Sequence, residues 1–390
     1  MMIWKRTFKE LFYKRKVMTL EKSILDLVGN TPLIKINNLI EKEKGQLLLK
    51  YEKVNPGGSV KDRSAKFIVE EAERLGILKP GGTIIESSSG NFGISLSMIG
   101  AVKGYKVVIL VDPKTTQSNL SLLKAFGAEV IIVTEKDDCG SYHKTRIALA
   151  NKLANETVNS FRPDQCFSLL NGLAHYKNTA KEIVDSVGAD NIEAIVVAVS
   201  TGGQIGGISK YVKEKYPFIK IIGVDAKGSV VFGGEPYSYK TPGVGLGWTP
   251  NNIDMDLIDE AFVIDDEIAF IAARAFAKYE GILIGPSSGA CALIGMHIAN
   301  KIKSNKNVIC MVADSGERYI NTLFNDDWMK QQGFTTNVSI EELQNILINL
   351  KGKDTHLIEN RAYNPYLAEE LNVPKTTITI NNRILKGEYI

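Results

Sequence analysis

The chain has 390 residues, of which 44% are hydrophobic and 23% charged, with a formal net charge of +3. That balance describes a globular protein with more than one core, and so small a charge argues against nucleic acid or a membrane surface as partner. Scattered cysteines (Cys139, Cys166, Cys291, Cys310) without a CxxC pair, and four scattered histidines, argue against a disulfide framework or a metal centre and fit the cytoplasm.

No apolar run is long enough to span a bilayer, and no secretory signal is apparent. Residues 1–17 are a basic, aromatic leader that invites no function, since Met18-Thr19-Leu20 reads as a natural start. Residues Ser23 to Leu33 read as a short helix, a turn and the start of a strand. Leu47 to Glu52 is an apolar strand leading into Asn55-Pro56-Gly57-Gly58-Ser59-Val60-Lys61, a bare turn in which Ser59 is the expected N-cap of a helix.

Apolar runs then recur at 83–86, 107–111, 130–133, 194–198, 221–224 and 308–312, with helical stretches between them. Their continuity predicts an α/β fold with mostly parallel sheets covered on both faces. Ligands of such sheets collect at the carboxyl ends of the strands, where the polar and glycine-rich segments of this chain fall. Past residue 333 the character changes. Ser339 and Glu342 form a capping box for an amphipathic helix, and Thr376 to Leu385, turning at Asn381-Asn382, reads as a terminal hairpin. Two readings stand for this appendage, a regulatory or oligomerising element and a structural brace.

Five segments carry chemistry together. Lys61, in the first turn of its helix, sits where the positive end of the helix dipole disfavours the ammonium, and a neutral lysine condenses with an aldehyde. Ser87-Ser88-Ser89-Gly90-Asn91-Phe92-Gly93 offers hydroxyls and free N–H groups to a carboxylate, although taken alone it reads more readily as a loop capping its own helix. Ser200-Thr201-Gly202-Gly203-Gln204 is suited to a small phosphate and lacks the P-loop and dinucleotide fingerprints. Ser287 follows a strand-like run, and Ser288 is the expected N-cap of the helix from Ala290 to Ala299. Pro242-Gly243-Val244-Gly245-Leu246-Gly247 is a bare loop able to pass close to a flat ligand.

In this order, NPGGSVKDR, SSSGNFG, STGGQIGG, PGVGLG, EGILIGPSSGA and Asp314-Ser315-Gly316-Glu317-Arg318-Tyr319 resemble the cysteine synthase and cystathionine β-synthase family of pyridoxal-phosphate enzymes, fold type II. The resemblance spans Ser23 to Gly333. It implies pyridoxal 5'-phosphate as cofactor and Lys61 as its Schiff-base lysine. It also implies Asn91 on the ring hydroxyl, Ser200, Thr201, Gly202, Gly203 and Gln204 on the phosphate, and Ser287 at the pyridine nitrogen. Ser88, Ser89, Gly90, Asn91 and Gln165 would take the substrate carboxylate. The implied organisation is a large lobe (18–54 and 166–333), a smaller mobile lobe (55–165) and the 334–390 appendage, in a homodimer acting on small amino-acid substrates.

Val111-Asp112-Pro113-Lys114, Thr145-Arg146-Ile147-Ala148 and Val224 to Val230 resemble one branch more closely, the N-(2-amino-2-carboxyethyl)-L-glutamate synthases of siderophore (2,3-diaminopropionate) biosynthesis. That branch implies β-replacement on O-phospho-L-serine through an aminoacrylate, with the amine of L-glutamate as nucleophile. Arg146 is the candidate partner of the leaving phosphate or of a glutamate carboxylate. Phe92 is nearer that branch's leucine than the usual threonine, whereas Cys166 replaces its tyrosine. The rivals are a cysteine synthase using sulfide, a serine or threonine dehydratase, and a catalytically silent amino-acid-binding or interaction protein.

Overall fold

A computed structural model describes residues 21–41, 43–137, 140–303, 305–355 and 374–388. The leader predicted over 1–17 lies outside the described residues, as does Cys139. Eleven strands are described: β1 (Leu33–Lys35), β2 (Gln46–Tyr51), β3 (Thr83–Ser87), β4 (Lys106–Val111), β5 (Glu129–Ile132), β6 (Ser160–Phe161), β7 (Ile192–Ala198), β8 (Lys220–Ala226), β9 (Glu260–Ile264), β10 (Asn307–Val312) and β11 (Lys353–Asp354). They form two sheets, β1-β2-β10-β7-β8-β9-β11 and β5-β4-β3-β6. The smaller sheet is all parallel, and the larger is parallel except for its edge strands β1 and β11. The architecture is the expected α/β one, with two mostly parallel sheets covered by helices.

The reason the central strands read as continuous apolar runs is visible in β7. Ala194 and Val196 point into one core with Leu47, Leu49, Val308 and Cys310. Their neighbours Ile195 and Val197 point into the other, with Ile221, Ile309 and Met311. Side chains alternate along a strand, so a sheet buried on both faces leaves no polar position in its interior strands.

Strand order positions the site. Because β2, β10 and β7 are neighbours, with Tyr51 opposite Val312 and Val196 opposite Cys310, their carboxyl ends lie side by side. The segments after them, which carry Lys61, Asp314 and Ser200, therefore converge although they are far apart in the chain. The end of β3, in the other sheet, contributes Asn91.

Three local expectations are corrected. The helix Lys61–Arg74 is capped at Val60 rather than Ser59; Ser59 instead accepts the Lys61 N–H at 3.3 Å and bridges to Asp314. Ser288 does not cap its helix, which begins at Pro286. Its hydroxyl accepts the Ala313 N–H at 2.9 Å, joining the helix to the end of β10.

The terminal hairpin is a helix, Lys375–Leu385. Its β-branched residues favour strands locally, but Thr377, Ile380 and Ile384 share one helical face and are buried, and that docking outweighs propensity. The capping box of Ser339 and Glu342 is present as expected. The strands β6, β9 and β11 went unmarked in the sequence, β6 and β11 having two residues each.

Candidate active site

Lys61 begins its helix because the preceding turn is held from several sides. Asp62 Oδ2 accepts the Gly57 N–H at 2.5 Å, the Val60 N–H donates to Ala313 O at 2.8 Å, and Arg318 donates to Gly57 O. Gly57 must lack a side chain, since a Cβ there would lie 2.3 Å from Asp62 Oδ1. Burial raises Asp62 to about 6, against its hydrogen bonds from Ser95 and Gly57.

Beneath the helix, Arg63 forks onto two carboxylates. It meets Glu52 at 2.6 and 2.9 Å and Glu182 at 2.7 Å through each Nη. Lys50, itself buried, joins Glu182 at 2.7 Å. This quartet fastens the Lys61 helix to the end of β2 and to the helix Ala180–Val187.

Lys61 lines a cleft with about 480 Å³ of empty space, part of it open to solvent, together with Asn91, the Ser200–Ile205 segment, Gly243, Ser287 and Asp314. Desolvation by burial holds the Lys61 ammonium below its ordinary value, opposed by Cys166 and Asp314. Cys166 gives little help to the charged form, because burial pushes its own thiol up to about 12.

The Asp314 carboxylate accepts from Asn91 Nδ2 at 2.8 Å and from the Tyr319 hydroxyl at 2.6 Å, both on Oδ2. Its Oδ1 is buried without a partner among the described residues. Burial raises its pKa despite those bonds.

The residues present fit pyridoxal phosphate. The helix Gly203–Lys215 opens at Gly202, at φ +81°, so the first-turn N–H groups are free and point toward the cavity end of the helix, as an anion requires. A Cβ on Gly203 would meet Asn171 Oδ1 at 2.1 Å, so the loop cradles its ligand with bare backbone. Gln204 Nε2 is a buried donor with no partner among the described residues. Ser287 is buried in the first turn of its helix and faces Gly243, which stands at φ +79°. An amine, an anion cradle and a buried hydroxyl thus share one space.

The remaining predicted residues lie beside this cavity rather than in its lining. Ser88 Oγ accepts the Gly93 N–H at 3.0 Å, and Gly90 opens the helix Asn91–Lys103 with open space on its Cβ side. Ser89 donates to Asp112 Oδ2 at 3.0 Å and receives a hydrogen bond from Arg146 Nη1, which also pairs with Asp112 at 3.1 Å. Arg146 is thus a buried residue held by its neighbours, at 8% exposure, and not a surface arginine.

Next to it, burial and the Arg146 and Arg162 charges lower His143 to about 4. The neutral ring lies 5.0 Å from that of Trp248. Gln165 sits in the turn after Asp164, its carbonyl accepting from Asn171 Nδ2 at 2.9 Å.

Sequence reasoning assigned no role to Asp314, Tyr319, Arg318 or the Arg63 quartet. Lys50 inside the otherwise apolar run 47–51 was the available mark of a buried ion pair.

The family described as pyridoxal-phosphate dependent enzyme matches residues 24–314. Among solved structures, an O-ureido-L-serine synthase is 29% identical at a TM-score of 0.74, covering 84% of this chain and 100% of its own. The O-acetylserine dependent cystathionine beta-synthase from Helicobacter pylori is 31% identical at 0.71, over 78% of this chain and 99% of its own. A hydrogen sulfide-producing enzyme from Fusobacterium nucleatum is 35% identical at 0.71, with the same two coverages.

Proposed function

The chain belongs to the pyridoxal-phosphate-dependent enzymes, as a cysteine-synthase-like β-replacement enzyme, and we propose that it joins O-phospho-L-serine to the amine of L-glutamate, giving N-(2-amino-2-carboxyethyl)-L-glutamate and phosphate. The observation behind the β-replacement reading is the single cavity in which Lys61, the Ser200–Gln204 cradle and Ser287 meet. Pyridoxal phosphate bound there supplies an electron sink that lets Cα lose its proton and Cβ its substituent. Ser287 offers the ring nitrogen a hydrogen bond without a formal charge, which favours β-elimination over chemistry needing a long-lived carbanion.

Lys61 Nζ, its ammonium form disfavoured by burial, takes the Cα proton and later returns it. The free N–H groups of residues 201–204 hold the phosphate, with Ser200 and Gln204 beside them, and Asn91 orients the ring hydroxyl. Ser88, Ser89, Gly90, Asn91 and Gln165 take the substrate carboxylate. Arg146 pairs with the leaving phosphate or with a glutamate carboxylate; its support is a buried guanidinium already oriented against Ser89 and Asp112.

Residues 55–165 act as the lobe that closes over the 18–54 and 166–333 body, excluding water from the reacting centre. His143 and Trp248, in contact across the two, mark where that closure meets. The working form is a homodimer in the cytoplasm, in keeping with the family resemblance.

The test is the visible spectrum of the cofactor-loaded protein as O-phospho-L-serine is added, followed by L-glutamate or sulfide. O-phospho-L-serine converts the resting band, and L-glutamate restores it at a higher rate than sulfide, with the glutamate adduct found by mass spectrometry. Recovery with sulfide alone makes the protein a cysteine synthase. Conversion with O-acetyl-L-serine only removes phosphate as the leaving group.

A further inference from the structure

The C-terminal helix Lys375–Leu385 reaches the segment that carries Gln165. The Leu169 N–H donates to Asn381 Oδ1 at 2.8 Å, and Asn381 Nδ2 donates to Phe167 O at 2.8 Å. A primary amide has one acceptor and one donor set at the spacing these two backbone groups require. Leu169 is the N-cap residue of the short helix Leu170–Ala174, which has no side-chain cap of its own. An asparagine from the far end of the chain therefore satisfies one of the N–H groups that a helix start leaves open.

Asn381 is placed there by packing. Ile380 and Ile384 are buried in the core that holds Leu170 and Leu173, together with Ala65 and Ile68 of the Lys61 helix. Leu170 follows directly on the peptide groups Asn381 holds, and Leu173 lies in the short helix that it opens.

The clasped turn leads into the site. Two residues beyond Leu169, Asn171 Nδ2 donates both to Gln165 O at 2.9 Å and to Thr201 Oγ1 at 3.1 Å. The peptide groups that Asn381 binds thus lie between Gln165 and Asn171. On the other side of the turn, the Asp164 N–H is held by Glu86 at 2.6 Å. No other described side-chain hydrogen bond reaches Phe167 O or Leu169 N–H; the backbone braces the turn as well, with the Phe167 and Ser168 N–H groups on Asp164 O at 3.2 and 2.8 Å, so Asn381 adds the one link from the appendage among the described residues.

We propose that Asn381 is a positioning residue, through which the C-terminal helix sets the Gln165 turn for the carboxylate of the amino-acid substrate. The inference rests on the proposed role of Gln165 in serving that carboxylate. On this view the appendage is part of the substrate site and not only a brace.

The experiment uses the full-length, cofactor-loaded protein and L-serine, which shares its amine and carboxylate with any activated serine. Binding is read from the visible absorbance of the cofactor, with a urea midpoint recorded beside it. Asn381→Ala removes both hydrogen bonds and raises the L-serine Kd about tenfold. Asn381→Asp keeps an acceptor for the Leu169 N–H but sets a carboxylate oxygen against Phe167 O, so it too raises the Kd, and it stands in should the alanine variant fail to fold. In a Gln165→Ala background the added effect of Asn381→Ala falls below about twofold, because the two act through one group.

An unchanged Kd in folded Asn381 variants overturns the proposal, and so does the same fold-rise in the Gln165→Ala background. If Gln165→Ala by itself leaves the Kd unchanged, Gln165 does not serve the carboxylate and the proposal falls with that reading.

Discussion

Replacing Arg63 by methionine tests whether the buried quartet beneath Lys61 is held by charge. The guanidinium contacts Glu52, whose side chain is 0% exposed, and Glu182, whose side chain is 17% exposed. Without Arg63, Glu52 keeps only the neutral donors Thr31 and Asn55. An uncompensated buried charge of this kind costs about 3–5 kcal/mol.

Glu182 adds a pH signature. Its carboxyl is held at about 2 by Arg63 and Lys50, against the opposing cost of its burial and an ordinary value of 4.5. Allowing for solvent reach, this contributes about 2 kcal/mol. Because the folded value is depressed, the contribution is present above pH 4.5 and is lost as pH falls through about 2.

Urea unfolding of the cofactor-free protein, followed by Trp248 and Trp328 fluorescence, reads both effects. The expected loss at pH 7 is about 3 kcal/mol or more, and the gap to the unmodified protein narrows between pH 4.5 and 2. Adding Glu52→Gln, which removes the stranded charge, recovers much of the loss. A deficit under about 1 kcal/mol, or a double variant as unstable as the single one, refutes the electrostatic account and leaves packing as the cause.

Gly203→Ala forces a Cβ onto Asn171, which is itself tied to Gln165 and Thr201 and cannot step aside freely. At an overpacking cost of about 1–3 kcal/mol, cofactor affinity falls about tenfold in a titration of the cofactor-free protein; unchanged affinity removes the cradle from the phosphate site. Glu86 is raised to about 7, by burial foremost and by Asp164, against Arg162. A carboxyl raised in the fold contributes stability below its ordinary value of 4.5 that is lost as pH rises through about 7. Glu86→Gln therefore flattens the decline in stability between pH 5 and 8, and a profile that stays as steep assigns it to another group.

The interior strands are legible in the sequence because both faces of each sheet are buried, which forces unbroken apolar runs such as Ile195-Val196-Val197. The Lys61 turn and the Ser200–Gln204 cradle are legible for a related reason. Backbone that approaches a ligand closely needs glycine, and it sits at the carboxyl ends of parallel strands. The C-terminal helix reads as a hairpin because its threonines and isoleucines favour a strand on local grounds, and only docking on a core built from other segments reverses that preference.

By itself, then, the sequence determined the α/β class, the segments that carry chemistry and their order along the chain, since these depend on local pattern and backbone freedom. Only the tertiary structure decided that Asp314 faces Asn91 and Lys61, that Arg63 binds Glu52 and Glu182, and that Asn381 holds the Gln165 turn. Those are contacts between side chains or backbone groups from separate segments. Hydrogen bonds and ion pairs depend on distances of about 3 Å, which strand order and helix docking set and no local pattern records.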